Sequence, residues 1–82
     1  MWTAYTLKST KNGRTCVGMT TDFPRRLKEH NLSKHGYTKL HQPWEALEKK
    51  TFETRAEARA REQYLKTAAG RRYISKIYSE IV

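Results

Sequence analysis

Four side chains of the 82-residue sequence bring reactive groups: the phenol of Tyr5, the guanidinium of Arg26, the imidazole of His30 and the carboxylate of Glu62. Between the first two in sequence lies the single thiol, Cys16. Such groups can move protons, hold an anion and ligate a cation. Arg26 and His30 are four residues apart, so on a helix they share one side. Each residue also has a plainer reading: Tyr5 as a half-buried strand aromatic, Arg26 as one more basic surface residue, Glu62 as the (i, i+4) partner of Lys66. Other chemistries lack their patterns. There is no Ser/His/Asp order, no Gly-rich phosphate loop and no His-x-x-x-His pair. The three histidines, His30, His35 and His41, are five and six residues apart with no cysteine near them in sequence, which disfavours zinc and leaves the loop histidines solvated.

Local signals say which elements must position these groups. Trp2 to Lys8 and Arg14 to Thr20 are rich in Trp, Tyr, Thr and Val and are joined across Asn12-Gly13, a strong hairpin signal. Alternation puts Thr3, Tyr5 and Leu7 on one face, with Tyr5 in mid-strand. Asp22 as cap and Pro24 in the first turn start a helix through Phe23, Leu27 and His30 that frays around Ser33. Residues 34–43, KHGYTKLHQP, show no period and read as a loop. Trp44 to Phe52 favours helix by propensity, yet alternates weakly between Pro43 and Thr54, and local pattern leaves both open. Thr54 to Glu57 is a capping box. The helix it opens carries a predicted buried stripe of Ala56, Ala60, Tyr64 and Leu65, with Glu57–Arg61 and Glu62–Lys66 as (i, i+4) pairs. Gly70 ends or separates it from a last amphipathic helix marked by Ile74, Ile77, Tyr78 and Ile81.

A chain of 9.7 kDa has room for one domain, residues 1–82, without an internal disulfide or a multi-cysteine zinc staple. Seventeen Lys and Arg against eight Asp and Glu give +9, which points to a polyanion, nucleic acid first. The excess is uneven: eight cations against Asp22 and Glu29 up to residue 41, then nine against six Glu. No apolar stretch has the length of a membrane span, and no basic-then-apolar leader opens the sequence, so the expectation is an intracellular, cytoplasmic protein.

These pieces resemble, in order and spacing, the GIY-YIG nuclease superfamily, in particular small stand-alone members similar to the N-terminal incision domain of the bacterial excision-repair endonuclease. Thr3-Ala4-Tyr5 occupies the first triplet and Cys16-Val17-Gly18 the second, followed by Met19-Thr20. Asp22 to Asn31 is similar to the family's helix carrying arginine and histidine, and the resemblance continues through Tyr37-Thr38, Pro43-Trp44, Phe52 to Ala58, Glu62 and Leu65-Lys66. It implies an α/β (α+β) fold with a three-stranded antiparallel sheet flanked by helices, which makes Trp44 to Phe52 the third strand. It also implies metal-dependent hydrolysis of DNA phosphodiesters, single-stranded or branched DNA included, in repair or recombination. Glu62 would be the ligand of Mg²⁺ or Mn²⁺, Arg26 the phosphate clamp, Tyr5 the group that orients or deprotonates water once its pKa is lowered by the metal or a cation, and His30 a helper. Arg14, Arg25, Lys28, Lys34, Tyr37 and Lys39 would contact the nucleic acid, mostly through phosphates and hence with little sequence preference. Two departures stand out: Cys16 replaces the tyrosine that opens the second triplet, and the family's late asparagine is missing, Asn12 and Asn31 being the only asparagines. The alternative is therefore a catalytically impaired nucleic-acid-binding module of the same fold. Oligomeric state is left open.

Overall fold

The computed structural model describes residues 1–34 and 36–81, with backbone alone for residues 80 and 81. His35 and the side chain of Ile81, both used in the sequence reading, lie outside the described residues. The order is β1 (Trp2–Ser9), β2 (Thr15–Thr20), α1 (Phe23–Leu32), α2 (Gly36–Leu40), β3 (Trp44–Phe52), α3 (Arg55–Leu65) and α4 (Ala68–Ile81). The strands form one antiparallel sheet in the order β2-β1-β3.

The hairpin turns where the sequence puts it. Gly13 takes φ +75, which an L side chain rarely adopts, and the buried Ser9 hydroxyl accepts the N–H groups of Lys11 and Asn12 at 3.1 and 3.3 Å. β1 is the central strand, paired on both edges, and with side chains of α1 packed on one face and of α3 and α4 on the other every residue from Thr3 to Leu7 is buried. One face packs Tyr5 and Leu7 with Phe23 and Trp44, joined by Cys16 and Leu27. A second cluster joins Leu47, Leu65 and Ile74 with Val17, Tyr73, Ile77 and Tyr78. Cys16 and Val17, adjacent in β2, point to opposite sides of the sheet and so belong to different clusters.

β3 is a strand in spite of its helix-favouring WEALEKK. Its backbone pairs with β1 from Trp2↔Phe52 to Ser9↔Trp44, with an irregularity at Thr6/Leu7 where Glu48 and Ala46 are the partners and Leu47 is left over. That extra residue breaks the alternation and lets the adjacent Leu47 and Glu48 lie on one side of the sheet, Leu47 in the second cluster and Glu48 beside Arg61 and Tyr73, while Trp44 belongs to the first.

Four expectations need correction. Residues 34–43 are not all loop, since α2 occupies Gly36–Leu40. At five residues it is too short to show a period, and it is held from outside: the Trp44 indole N–H donates to the Thr38 carbonyl at 2.9 Å, and Tyr37 lies 4.4 Å from His41, centre to centre. The inward stripe of α3 is Ala58, Arg61, Glu62 and Leu65, while Ala56, Ala60 and Tyr64 face solvent. Arg61 can turn inward because Glu48 accepts from it at 2.7 Å and also accepts from the Tyr73 hydroxyl. The predicted Glu57–Arg61 pair is therefore replaced, with Glu57 reaching back instead to the Thr54 N–H in the capping box. Finally, Gly70 lies inside the first turn of α4, where it lets that helix approach α3: a Cβ there would strike the Tyr64 carbonyl and come within 2.5 Å of Leu65 Cα.

Candidate active site

Tyr5 stands opposite Gly18 in the β1–β2 register. Only 2% exposed, it lays its hydroxyl in the space a side chain at 18 would fill; a Cβ on Gly18 would meet Tyr5 Oη and fall 2.7 Å from Cζ. The strand pairing thus fixes where the phenol oxygen lies. From α1, Arg26 Nε donates to that oxygen at 3.3 Å, and Arg26 Nη1 donates to Glu29 at 3.4 Å. α1 is placed by the Asp22 cap, which accepts the Arg25 N–H at 3.1 Å, and by Asn31, whose side-chain amide donates to the Trp44 carbonyl and accepts the Trp44 N–H. Asn31 therefore welds α1 to β3.

One turn beyond Arg26, His30 is 6% exposed and lies edge-on to Tyr5 at 6.1 Å and to Trp44 at 6.2 Å. Its Nδ1 is 3.0 Å from the Arg26 carbonyl, which can only accept, so Nδ1 carries a proton. In the neutral ring Nε2 then accepts from the Cys16 thiol, 3.7 Å away. The sequence placed no cysteine near a histidine. The fold brings one there, because Cys16 and His30 converge on the same face of the sheet.

Electrostatics link these groups to α3. Burial raises the pKa of Tyr5 above its ordinary 10.0; the hydrogen bond and charge of Arg26 oppose this, while Cys16 and the Glu62 carboxylate add to it. A neighbouring cation alone thus does not lower Tyr5, contrary to that expectation, because desolvation outweighs it. Burial likewise raises the Cys16 thiol, against the pull of Arg26 and Lys66. The hydrogen bond to Tyr5 pushes Arg26 further up, so its charge is permanent. Glu62, with a side chain 14% exposed, is 3.7 Å from the Lys66 ammonium, as predicted. Tyr5, Cys16, Arg26, Glu62 and Lys66 therefore share one electrostatic neighbourhood.

Among the described residues no group of three or more His, Cys, Asp or Glu side chains could hold a metal ion. Glu62 on its own still fits magnesium or manganese: it is a hard oxygen donor, paired among the described residues with an ammonium on a flexible stem, and Mg²⁺ takes one or two carboxylates and keeps its waters.

Beside Arg26 and His30 opens a cavity of about 350 Å³, lined also by Glu29, Ser33 and Thr38. Arg14, Arg25, Lys28, Lys34, Tyr37 and Lys39 are all exposed. Two of them carry contacts the sequence reading did not assign: Arg25 pairs with Glu29 at 3.5 Å, and the Tyr37 hydroxyl donates to the Thr15 carbonyl at 3.4 Å, bringing α2 against β2. The reading also missed Glu29 and the cradle at Gly18. The first was legible as (i, i+3) and (i, i+4) spacing to Arg26 and Arg25; the second follows only from strand register. Among the described residues no helix is long and apolar enough to cross a membrane.

A family model described as the GIY-YIG catalytic domain matches residues 1–74. No curated protein matches the chain.

Proposed function

Since the chain belongs to the GIY-YIG family, whose members are nucleases acting on DNA, we propose that it is a divalent-metal-dependent DNA endonuclease with little sequence preference. The observation that carries this reading is the Tyr5 hydroxyl held by Arg26 at 3.3 Å over Gly18, within the field of the Glu62 carboxylate. Tyr5 enters as a neutral phenol. Its oxygen accepts from Arg26, which leaves its own O–H to orient an attacking water. Arg26 spends only Nε and one Nη1 hydrogen on Tyr5 and Glu29, so its other N–H groups can hold a phosphate oxygen as negative charge grows in the transition state. His30, its tautomer set by the Arg26 carbonyl, offers Nε2 as a proton acceptor at the edge of the same site. Glu62 would hold a Mg²⁺ or Mn²⁺ ion, which when bound supplies charge neutralisation at the phosphate and stabilises the leaving 3′ oxygen. The exposed cations of the hairpin turn, α1 and α2 contact phosphates, which carry no base information.

Supercoiled plasmid and branched DNA, incubated with Mg²⁺ or Mn²⁺, test the proposal. The protein nicks them, and Glu62→Gln loses the nicking while retaining salt-sensitive DNA binding. If the unaltered protein binds without nicking under either metal, the endonuclease reading fails and the binding-module alternative, favoured by Cys16 in place of a tyrosine, takes its place.

A further inference from the structure

The ring of Tyr37 is anchored along one side and open on the rest. Its hydroxyl donates to the Thr15 carbonyl at 3.4 Å, and its centre lies 4.4 Å from that of His41 and 6.0 Å from that of Trp44. His41 is fixed in turn, its Nδ1 accepting from Asn12 Nδ2 at 2.7 Å. Tyr37 is nevertheless 46% exposed, and Leu40, one turn on in α2 and on the same side, is 65% exposed. An aromatic face held this way is ordered in advance, so a partner laid on it costs little conformational entropy. The surroundings are cationic. Residues 1–21 and 30–44, the two segments that meet at Tyr37, contain no Asp or Glu. Among their cations, Lys11 Nζ donates to the Leu40 carbonyl at 3.5 Å, and Arg14, Lys34 and Lys39 are exposed. An open ring among cations is the combination that binds single-stranded nucleic acid, the cations following the backbone while bases stack on the ring. The platform is also continuous with the candidate active site: Thr38, next in sequence, lines the cavity beside Arg26 and His30, and Trp44 touches both Tyr37 and His30.

We infer that Tyr37 is a stacking site for an unpaired DNA base beside the phosphate held by Arg26. A base inside a duplex has both faces covered by its neighbours and must leave the stack before a protein ring can take one of them. Tyr37 therefore selects DNA that carries unpaired nucleotides next to the cut, as at a flap, a frayed end or a single-stranded gap. The cations around it grip phosphates and do not discriminate in this way. The site rests on the reading of the chain as a protein that acts on DNA, and it asks nothing of a metal at Glu62.

Fluorescence anisotropy in EDTA compares a short oligothymidylate with an abasic strand of the same length, which has the same phosphates and no bases. The unaltered protein binds the oligothymidylate about 5- to 150-fold more tightly, the range expected of one stacked base. Tyr37→Ala loses that preference, keeps its affinity for the abasic strand and keeps the slope of affinity against salt, since no phosphate contact has gone. Tyr37→Phe, which retains the ring, stays within about twofold of the unaltered protein. Equal binding of the two strands by the unaltered protein overturns the inference, as does a base preference that survives in Tyr37→Ala. A loss in Tyr37→Ala that is equal for both strands also overturns it, because Tyr37 then only holds α2 and its lysines in place. A second measurement needs no variant: photocrosslinking of a strand containing 5-iodouracil labels Tyr37, and a crosslinked product without Tyr37 overturns the inference equally. Every readout is taken without divalent metal, so a protein that stacks a base but never nicks and one that nicks without stacking are distinct results.

Discussion

Gly18→Ala isolates the position of one oxygen atom. The added methyl meets Tyr5 Oη and lies 2.7 Å from Tyr5 Cζ, where ordinary carbon contacts lie at about 3.5 Å, so the ring must retreat by roughly 1 Å. It has little room to do so, being 2% exposed and packed on Phe23 at 5.5 Å between ring centres. Overpacking of this kind costs about 1–3 kcal/mol of stability, or some 5–20 °C in Tm for a domain of this size. The hydrogen bond from Arg26, already 3.3 Å long, breaks with the same movement. A displacement of about 1 Å in a positioned group is enough for about 100-fold in rate, so kcat for plasmid nicking should fall by that factor while DNA affinity is unchanged. Single-turnover nicking below the lowered Tm separates the rate effect from unfolding. Gly36→Ala is the control: its φ is +70 but nothing lies within 4 Å, so it should cost about 1 kcal/mol and leave kcat alone. If Gly18→Ala cuts at the native rate, Tyr5 Oη does not set the geometry of the reaction and the argument built on it fails.

Three further outcomes follow from the same coordinates. Arg26→Lys keeps the charge but loses the Nε donor to Tyr5 and the planar fork, and should lower kcat by about 10²-fold with DNA affinity nearly unchanged; a fall in affinity alone would make Arg26 a surface contact. Gly70→Ala puts a methyl against the Tyr64 carbonyl and Leu65 Cα, backbone atoms that cannot step aside, and should cost about 3 kcal/mol, seen as a Tm lower by at least ~10 °C. Alkaline stability has a defined sign: burial raises Cys16 above 9.0 and Tyr5 above 10.0, and the hydrogen bond to Glu48 raises Tyr73 above 10.0. Groups raised by folding stabilise fully below their unfolded values and lose that contribution as pH climbs through the folded ones, so denaturant midpoints should fall from about pH 9 upward and less steeply in Tyr5→Phe. Midpoints flat to pH 11 would refute the burial of Cys16 and Tyr5 and the hydrogen bond between Tyr73 and Glu48.

Much of this architecture could be read before any coordinates, and the failures have identifiable causes. The hairpin, the Asp22 cap and the Thr54–Glu57 capping box were legible because each depends on residues within four positions of one another. β3 was not: its own residues favour helix, and only pairing with β1 makes it a strand. The buried stripe of α3 is not legible in its apolar side chains, because Arg61 and Glu62 turn inward toward Glu48 and the Tyr5 neighbourhood while Ala56, Ala60 and Tyr64 face solvent. The site residues Tyr5, Arg26, His30 and Glu62 were named from the order of motifs along the chain. Their mutual geometry, above all Cys16 against His30, depends on which strand faces share a cluster, and that is a property of register.

The Glu62–Lys66 pair has one more consequence. On the proposed reading, Glu62 would give up its Lys66 partner when it holds a divalent ion, leaving a tethered ammonium that is 57% exposed and able to meet a phosphate. Metal and DNA then recruit one another through Lys66, and thermodynamic reciprocity makes the enhancement identical in both directions. Its ceiling is what a solvent-exposed ion pair is worth, about 1 kcal/mol or roughly fivefold. So modest a coupling lets either partner arrive first and binds neither irreversibly, which suits a catalyst that must let its product go.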